Sequence, residues 1–279
     1  MWLFDWLFGK KNQIDQDNDK GVLDRVLLVG INKYPGAPLS GCVNDILNAK
    51  GMLISDFGFN GNNMRILTDS GATTTAIING LVWLSGTPTG GRAYFHYSGH
   101  GAQVPCRIEP DGLSEVICPV DFNWAPQHMV TDKQFVAIFG KMQAGVKFNW
   151  CSDSCHSGDL DRDMVPGHIN HPRQMVPPPH IQTEINERKK RGGKSRGIVN
   201  GTLDVGFVSG CRSNQTSADT AMNNVPCGAF TYFFVKNLKA NKSKSLKFIV
   251  ALTVQDLSRN GYSQTPQSEG TRQELPFLG

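Results

Sequence analysis

Short apolar runs alternate with longer segments of helical periodicity through the first half of the chain, and this alternation leaves few architectures open. Residues 25–31 (RVLLVGI) form a compact apolar run closed by Gly30 and Pro35, as expected for a strand buried on both faces. Residues 42–57 carry Val43, Ile46, Leu47, Met52, Leu53 and Phe57 at helical spacing and stop at Gly58. Residues 64–67 read as a second strand, 73–84 as a second helix with Ile77, Ile78, Leu81 and Leu84 on one side, and 92–97 (RAYFHY) as a third strand. A short extended piece at 116–120, a helix at 133–142 and a fourth strand at 147–151 (KFNWC) continue the series. Strands separated by helices imply a parallel sheet covered on both faces. The expected fold class is therefore α/β, a three-layer α/β/α sandwich with a mostly parallel central sheet.

The texture changes between residues 158 and 200, where Pro177, Pro178 and Pro179 precede a basic run, ERKKRGGKSR (187–196), with few apolar residues. This stretch reads as a long exposed insertion. A strand at 205–208 and helices at 229–238 and 245–259 then complete the fold. The expected segments are an apolar N-terminal piece with a polar linker (1–23), a first half (24–160), an exposed linker (161–200) and a second half (201–279).

Composition removes several classes. Twenty-eight Lys and Arg against 24 Asp and Glu leave a net charge of only +4, too little for nucleic acid as a partner. No run of about 18 apolar residues occurs, so no membrane-spanning helix is expected. The seven cysteines are odd in number and lack CxxC pairing, which fits a reducing, cytoplasmic compartment better than a disulfide framework. The opening MWLFDWLFGKK concentrates Trp and Phe before Lys10 and Lys11, the reverse of a secretory signal. Residues 1–11 thus read as an interfacial anchor for a membrane or partner protein, or as a segment folded onto the domain.

In parallel α/β sheets, ligands bind beyond the carboxyl ends of strands. Strand three runs into Tyr97-Ser-Gly-His-Gly101 and strand four into Cys151-Ser-Asp-Ser-Cys-His-Ser-Gly158. If the two strands are neighbours, His100 and Cys155 meet at the sheet edge. A thiol nucleophile needs an imidazole partner, because the thiolate is the reactive form. Glycines at Gly101 and Gly158 let backbone amides approach an oxyanion, with the Cys155 amide as a second donor. Asp153, two residues before Cys155 on the same face, disfavours a thiolate and makes more sense as counter-ion to a cationic substrate side chain; Asp45 is placed to join it. The competing readings are Asp153 as a loop cap, His96 as a hydrogen-bonded core histidine, and zinc on Cys151, Cys155, His156 and His100, whose spacing suits a tetrahedral site poorly. No cofactor is needed for the chemistry.

The strings YSGHGAQ (97–103), DSCHSG (153–158), GCVND (41–45) and DGLSEVICPVDF (111–122) resemble the metacaspase group of caspase-like cysteine peptidases. GCRSNQTSAD (210–219), GAFTYFF (228–234) and YSQTPQ (262–267) extend the resemblance over residues 24–269. It implies a caspase-like fold and a thiol endopeptidase acting on protein or peptide substrates after Arg or Lys. The dyad maps onto His100 and Cys155, the basic-residue pocket onto Asp45 and Asp153, with Cys42 and Ser98 lining it. The resemblance also implies calcium as an activator, on Asp111, Asp132 and Asp161. There the sequence departs from the pattern, since Ser114 replaces an acid beside Glu115, Lys133 follows Asp132, and Arg162 follows Asp161. Lysine in such a shell opposes calcium. A basic run inside a peptidase that cuts after basic residues is expected to be self-processed at Arg188, Lys189, Lys190, Arg191, Lys194 or Arg196, unless it is a solvated loop or a contact for an acidic partner. By analogy with the group the chain is expected to be a monomer. The alternative is a catalytically silent scaffold docked through its N-terminus.

Overall fold

The computed structural model describes residues 23–107, 109, 112–155, 171–191 and 203–279. In chain order the elements are β1 (Arg25–Gly30), α1 (Cys42–Phe57), β2 (Met64–Thr68), α2 (Thr74–Ser85), β3 (Arg92–Ser98), β4 (Gly101–Pro105), β5 (Leu113–Ile117), β6 (Val130–Thr131), α3 (Asp132–Phe139) and β7 (Lys147–Asp153). There follow β8 (His171–Pro172), α4 (Pro179–Arg191), β9 (Gly206–Ser209), β10 (Ala218–Met222), β11 (Val225–Gly228), α5 (Ala229–Ala240), α6 (Leu246–Arg259) and β12 (Gln267–Glu269). The central sheet has the order β12-β9-β7-β3-β1-β2 and is parallel except for β12. Two three-stranded antiparallel sheets, β11-β10-β8 and β4-β5-β6, flank its carboxyl edge. This is the covered, mostly parallel α/β arrangement expected from the alternation.

Strand pleating divides the core. Leu27, Val29, Phe95, Phe148, Trp150 and Phe207 face α2 and α3, while Val26, Leu28, Tyr94, Cys151 and Val208 face α1, α5 and α6. Both faces are apolar because both are covered, so the strands read as continuous apolar runs. On the first face Trp150 is wedged between Phe135 and Phe207, each with ring centroids 4.4 Å away. Burial of an aromatic of this size contributes several kcal/mol, about 3 to 5 on truncation to alanine.

Caps fix the helix starts. Thr73 accepts from the Ala76 amide ahead of α2, Ser245 from Phe248 ahead of α6, and Thr131 and Gln134 form a capping box at α3. Helix α1 has no such residue at Gly41; the Asn32 side chain supplies the acceptor instead, 2.8 Å from the Cys42 amide. Helix α3 stops at Gly140, short of the residue 142 expected from periodicity.

The described part of the insertion corrects the reading of an exposed loop. His171–Pro172 pairs with β10, Arg173 is fully buried, and α4 docks through the buried Ile185. The two halves are one fold, since β9 from the second half lies against β7 from the first. No helix among the described residues is long and apolar enough to cross a membrane. Residues 1–11 lie outside the described residues.

Candidate active site

Strands β3 and β7 are neighbours in parallel register, with Ser98 opposite Asp153, so the turns that follow them lie side by side. The first turn, Gly99 to Gly101, is held by two tyrosines. The Tyr34 hydroxyl accepts from the His100 amide (3.1 Å) and donates to the Cys118 carbonyl (2.8 Å), while the Tyr97 hydroxyl donates to the His100 carbonyl (2.6 Å). A Cβ on Gly99 would lie 2.5 Å from the Tyr34 hydroxyl oxygen, so only glycine fits there.

His100 is buried, with Nε2 2.8 Å from the Ala37 carbonyl. A carbonyl only accepts, so Nε2 carries the proton and Nδ1 presents its lone pair. That Nδ1 is buried and has no hydrogen-bond partner. Burial, opposed by the Ala37 carbonyl, lowers the His100 pKa to about 4, and the ring is a neutral base at neutral pH. Cys155 is also buried; its sulfur accepts from the Ser217 amide and lies 3.5 Å from the Ser217 carbonyl.

The Gly101 and Cys155 amides converge on a single oxygen. Both donate, each at 3.0 Å, to the carbonyl of Arg173. The Arg173 side chain enters a pocket of three carboxylates behind them. Its Nη2 lies 2.7 Å from Asp45 and 2.9 Å from Asp219; its Nη1 lies 3.0 Å from Asp153 and 2.6 Å from the Ser98 hydroxyl. All four charged side chains are essentially inaccessible to solvent.

Each carboxylate is oriented by other donors. Asp153 accepts from the Ser217 and Thr231 hydroxyls (both 2.6 Å) and Asp45 from the Gly228 amide (2.8 Å). Asp219 accepts from the Ser40 amide (2.7 Å), the Ser40 hydroxyl (2.8 Å) and the Gly41 amide (2.9 Å). Burial pushes Asp45 up to about 6, against the pull of Arg173 and with Asp153 adding to the rise. Asp219 is buried as well, yet Arg173 and the Ser40 donors hold its carboxyl below the usual range. Cys42 lines the same pocket, its thiol raised by burial. Gly228 forms the pocket floor, where a Cβ would strike Asp153 and Arg173.

Of the other sequence expectations, His96 is a buried core histidine, its Nδ1 2.9 Å from the Tyr94 hydroxyl and its pKa lowered by burial to about 4. Cys151 packs in the apolar core beside Val208, away from the zinc set considered for it; His156 and Gly158 lie outside the described residues. Asp111 and Asp161 also lie outside them. Asp132 accepts from the Ser114 hydroxyl, Lys133 pairs with Glu109, and Arg188 donates to the Cys106 (3.0 Å) and Gly112 (3.1 Å) carbonyls. Two cations thus stand on the loop edges where calcium was expected, and of its three expected ligands only Asp132 lies among the described residues. Among the described residues no group of three or more His, Cys, Asp or Glu is placed to hold a metal.

Arg188, Lys189 and Lys190 sit on α4, where Arg188 also pairs with Glu184; Arg191 ends that helix, and Lys194 and Arg196 lie outside the described residues. None of the described basic residues of that run enters the pocket. Sequence reasoning missed Arg173 and Asp219. Arg173 is an isolated base in a proline-rich stretch, less conspicuous than the basic run, although the same logic of a basic residue inside the linker applies to it. Asp219 lies in the quoted string GCRSNQTSAD, but its role depends on β10 folding back over the edge of the sheet.

A doubly covered, mostly parallel sheet with a thiol, an imidazole and two amides at its carboxyl edge defines the caspase-like class of α/β proteins. Residues 24–162 match the family described as metacaspase, peptidase C14 domain. Metacaspase-1A of Neurospora crassa is 30% identical over 87% of this chain and 62% of its own length. Metacaspase-1 of Schizosaccharomyces pombe is 31% identical over 87% and 66%, and Metacaspase-1 of Meyerozyma guilliermondii 30% identical over 93% and 72%. The crystal structure of protein GSU0716 from Geobacter sulfurreducens has the same fold, with a TM-score of 0.65 and 24% identity over 91% of this chain and 98% of that one. The chain belongs to the metacaspase family of C14 peptidases. It spans 62% of the length of the Neurospora crassa relative.

Proposed function

We propose that the chain is a cysteine endopeptidase that cuts after arginine and, less readily, lysine, and that its first substrate is its own Arg173–Gln174 bond. One observation carries the reading: Arg173 has its side chain in the acidic pocket and its carbonyl between two amides beside Cys155 and His100. That is the arrangement a substrate residue adopts just before acylation. Cys155 loses its proton to His100 Nδ1 and its sulfur attacks the carbonyl carbon. Charge developing on the carbonyl oxygen is held by the Gly101 and Cys155 amides. The imidazolium, held in orientation by the Ala37 carbonyl, returns the proton to the leaving amine, and the same imidazole then activates water to hydrolyse the thioester.

The pocket supports arginine over lysine because its acceptors lie on both terminal nitrogens, a fork that a single ammonium does not fill. The same occupancy shuts the site to other substrates, which supports reading the uncut chain as a zymogen; by analogy with the family it is taken to act as a monomer. Residues 1–11 are kept as a docking segment for a membrane or a protein partner, and calcium as an activator is tested in the same assay. Intact-mass measurement of wild type and Cys155→Ala, with turnover of peptides ending in Arg, Lys or Asp in calcium or chelator, tests the reading. The expected result is a cut between Arg173 and Gln174 in wild type alone, and cleavage after Arg that disappears in the variant. An intact bond in fresh and aged wild type, with no peptide turnover, overturns it.

A further inference from the structure

The contacts that hold residues 171–175 do not run through the Arg173–Gln174 bond. On one side, His171 and Pro172 pair with Asp219 and Ala218 of β10, the Arg173 amide donates to the Ser217 carbonyl (3.1 Å), and the guanidinium is gripped by Asp45, Asp153 and Asp219. On the other, Gln174 bridges to Gly101, the Met175 amide donates to the Gly101 carbonyl (2.9 Å), and Met175 packs on the main core. Helix α4 behind it is fixed by the buried Ile185 and by Arg188 on the Cys106 and Gly112 carbonyls. Hydrolysis converts the Arg173 carbonyl to a carboxylate, whose oxygen suits the two amides at least as well as the neutral carbonyl did.

We infer that cutting this bond does not by itself open the site: the new C-terminal Arg173 remains as a tethered product inhibitor that competes with other substrates, and full activity on them needs a separate step that removes or displaces residues 171–173. The inference rests on the endopeptidase reading above. The tether explains why the product does not leave by dilution. Residues 156–170 join Cys155 to His171, so the cut end stays attached to the site it occupies. A tether of this length sets an effective concentration on the order of 1 mM. Any product affinity tighter than that leaves most molecules closed, and an incoming peptide must compete with Arg173 for the same three carboxylates. The reaction that consumes this product is of a definite class: a second cut upstream of His171, or removal of a C-terminal basic residue.

The test compares self-cut wild type with uncut Cys155→Ala and with self-cut wild type from which a carboxypeptidase has removed the C-terminal arginine. Hydrogen exchange at the Arg173 amide, read in peptides that end at or span Arg173, reports occupancy without any assay of activity. The expected result is equal protection in cut wild type and in uncut Cys155→Ala. In kinetics on an Arg-ended peptide, cut wild type is expected to show a KM roughly tenfold or more above that of the trimmed protein at similar kcat, the pattern of an internal competitor. Intact mass confirms the trimming; if the arginine resists removal, the exchange comparison decides. Loss of protection on cutting, or equal KM values, overturns the inference while leaving the peptidase reading intact. Failure of wild type to cut at Arg173 at all, seen by mass, overturns the self-processing reading and this inference with it.

Discussion

Asp219 accepts four hydrogen bonds, three from Ser40 and Gly41 and one from the Arg173 guanidinium, and it gives one terminal nitrogen of that guanidinium a second carboxylate. Asp153 and Ser98 serve one terminal nitrogen, and Asp45 and Asp219 share the other. A hydrogen bond to a charged group contributes about 1.5 to 3 kcal/mol. Asp219→Asn is therefore expected to lower kcat/KM for an Arg-ended peptide by about tenfold or more and for a Lys-ended one by less. The ratio of the two is the measurement, because damage to the Ser40–Gly41 loop would slow both substrates alike. An unchanged ratio would show that Asp45 and Asp153 alone set the preference. Asp153 was legible from its spacing to Cys155 and Asp45 from the resemblance carried by GCVND, whereas Asp219 and Arg173 were not. Asp219 lies on β10 and Arg173 follows β8, and those two strands pair across a long stretch of chain that no local pattern announces.

Among the elements, the turn after β3 shows how a strand end becomes a chemical device. Gly99 allows the backbone to pass beneath the Tyr34 and Tyr97 hydroxyls, and those hydroxyls fix both the amide and the carbonyl of His100. Gly99→Ala would push a methyl group against both tyrosine hydroxyls and displace the backbone that carries the His100 imidazole. The expected outcome is a fall in kcat of about 100-fold, the scale on which small misplacements act, with KM for peptides little changed. A rise in KM alone would place the role of Gly99 in binding instead. The parallel strands and their helices were readable because two covered faces demand continuous apolar runs and helical stripes. Strands β4, β6, β8, β10, β11 and β12 were missed: they are short and lie outside the parallel run of the central sheet, and β8 and β12 pair with partners far along the chain. Helix α4 was missed because its sequence is mostly polar and its docking depends on Ile185 and Arg188 alone.

In the whole molecule, the buried polar groups beneath the site make stability depend on acid. His96 is fully buried and neutral, with a folded pKa near 4 against 6.5 in an exposed chain. A base whose folded pKa is depressed contributes stability that is complete above about pH 6.5 and is lost as pH falls through 4, here on the order of 3 kcal/mol. Asp45, raised to about 6, works in the opposite sense over the same window. The difference between wild type and His96→Asn isolates the histidine: the variant is expected to lose less of its melting temperature between pH 7 and pH 4. Parallel melting curves for the two would mean that His96 is hydrated in the folded state. Cutting at Arg173 is compatible with this stability, because β9 of the second half lies against β7 of the first and the sheet does not need the linker.

The sequence by itself determined the layered α/β sheet, because burial on two faces and parallel order are written in local periodicity. It placed His100 and Cys155 at the ends of two strands, and it carried the departures from the expected calcium pattern; that those two strands are neighbours was settled by the sheet order. Only the tertiary structure decided that a third carboxylate completes the pocket, that Arg173 rather than the basic run fills it, and that the Arg173 carbonyl rests between the Gly101 and Cys155 amides. The physical reason is range. Periodicity records which face of an element is buried, while the pairing of a two-residue strand with β10 and the meeting of four buried charges are settled by contacts between residues far apart in the chain.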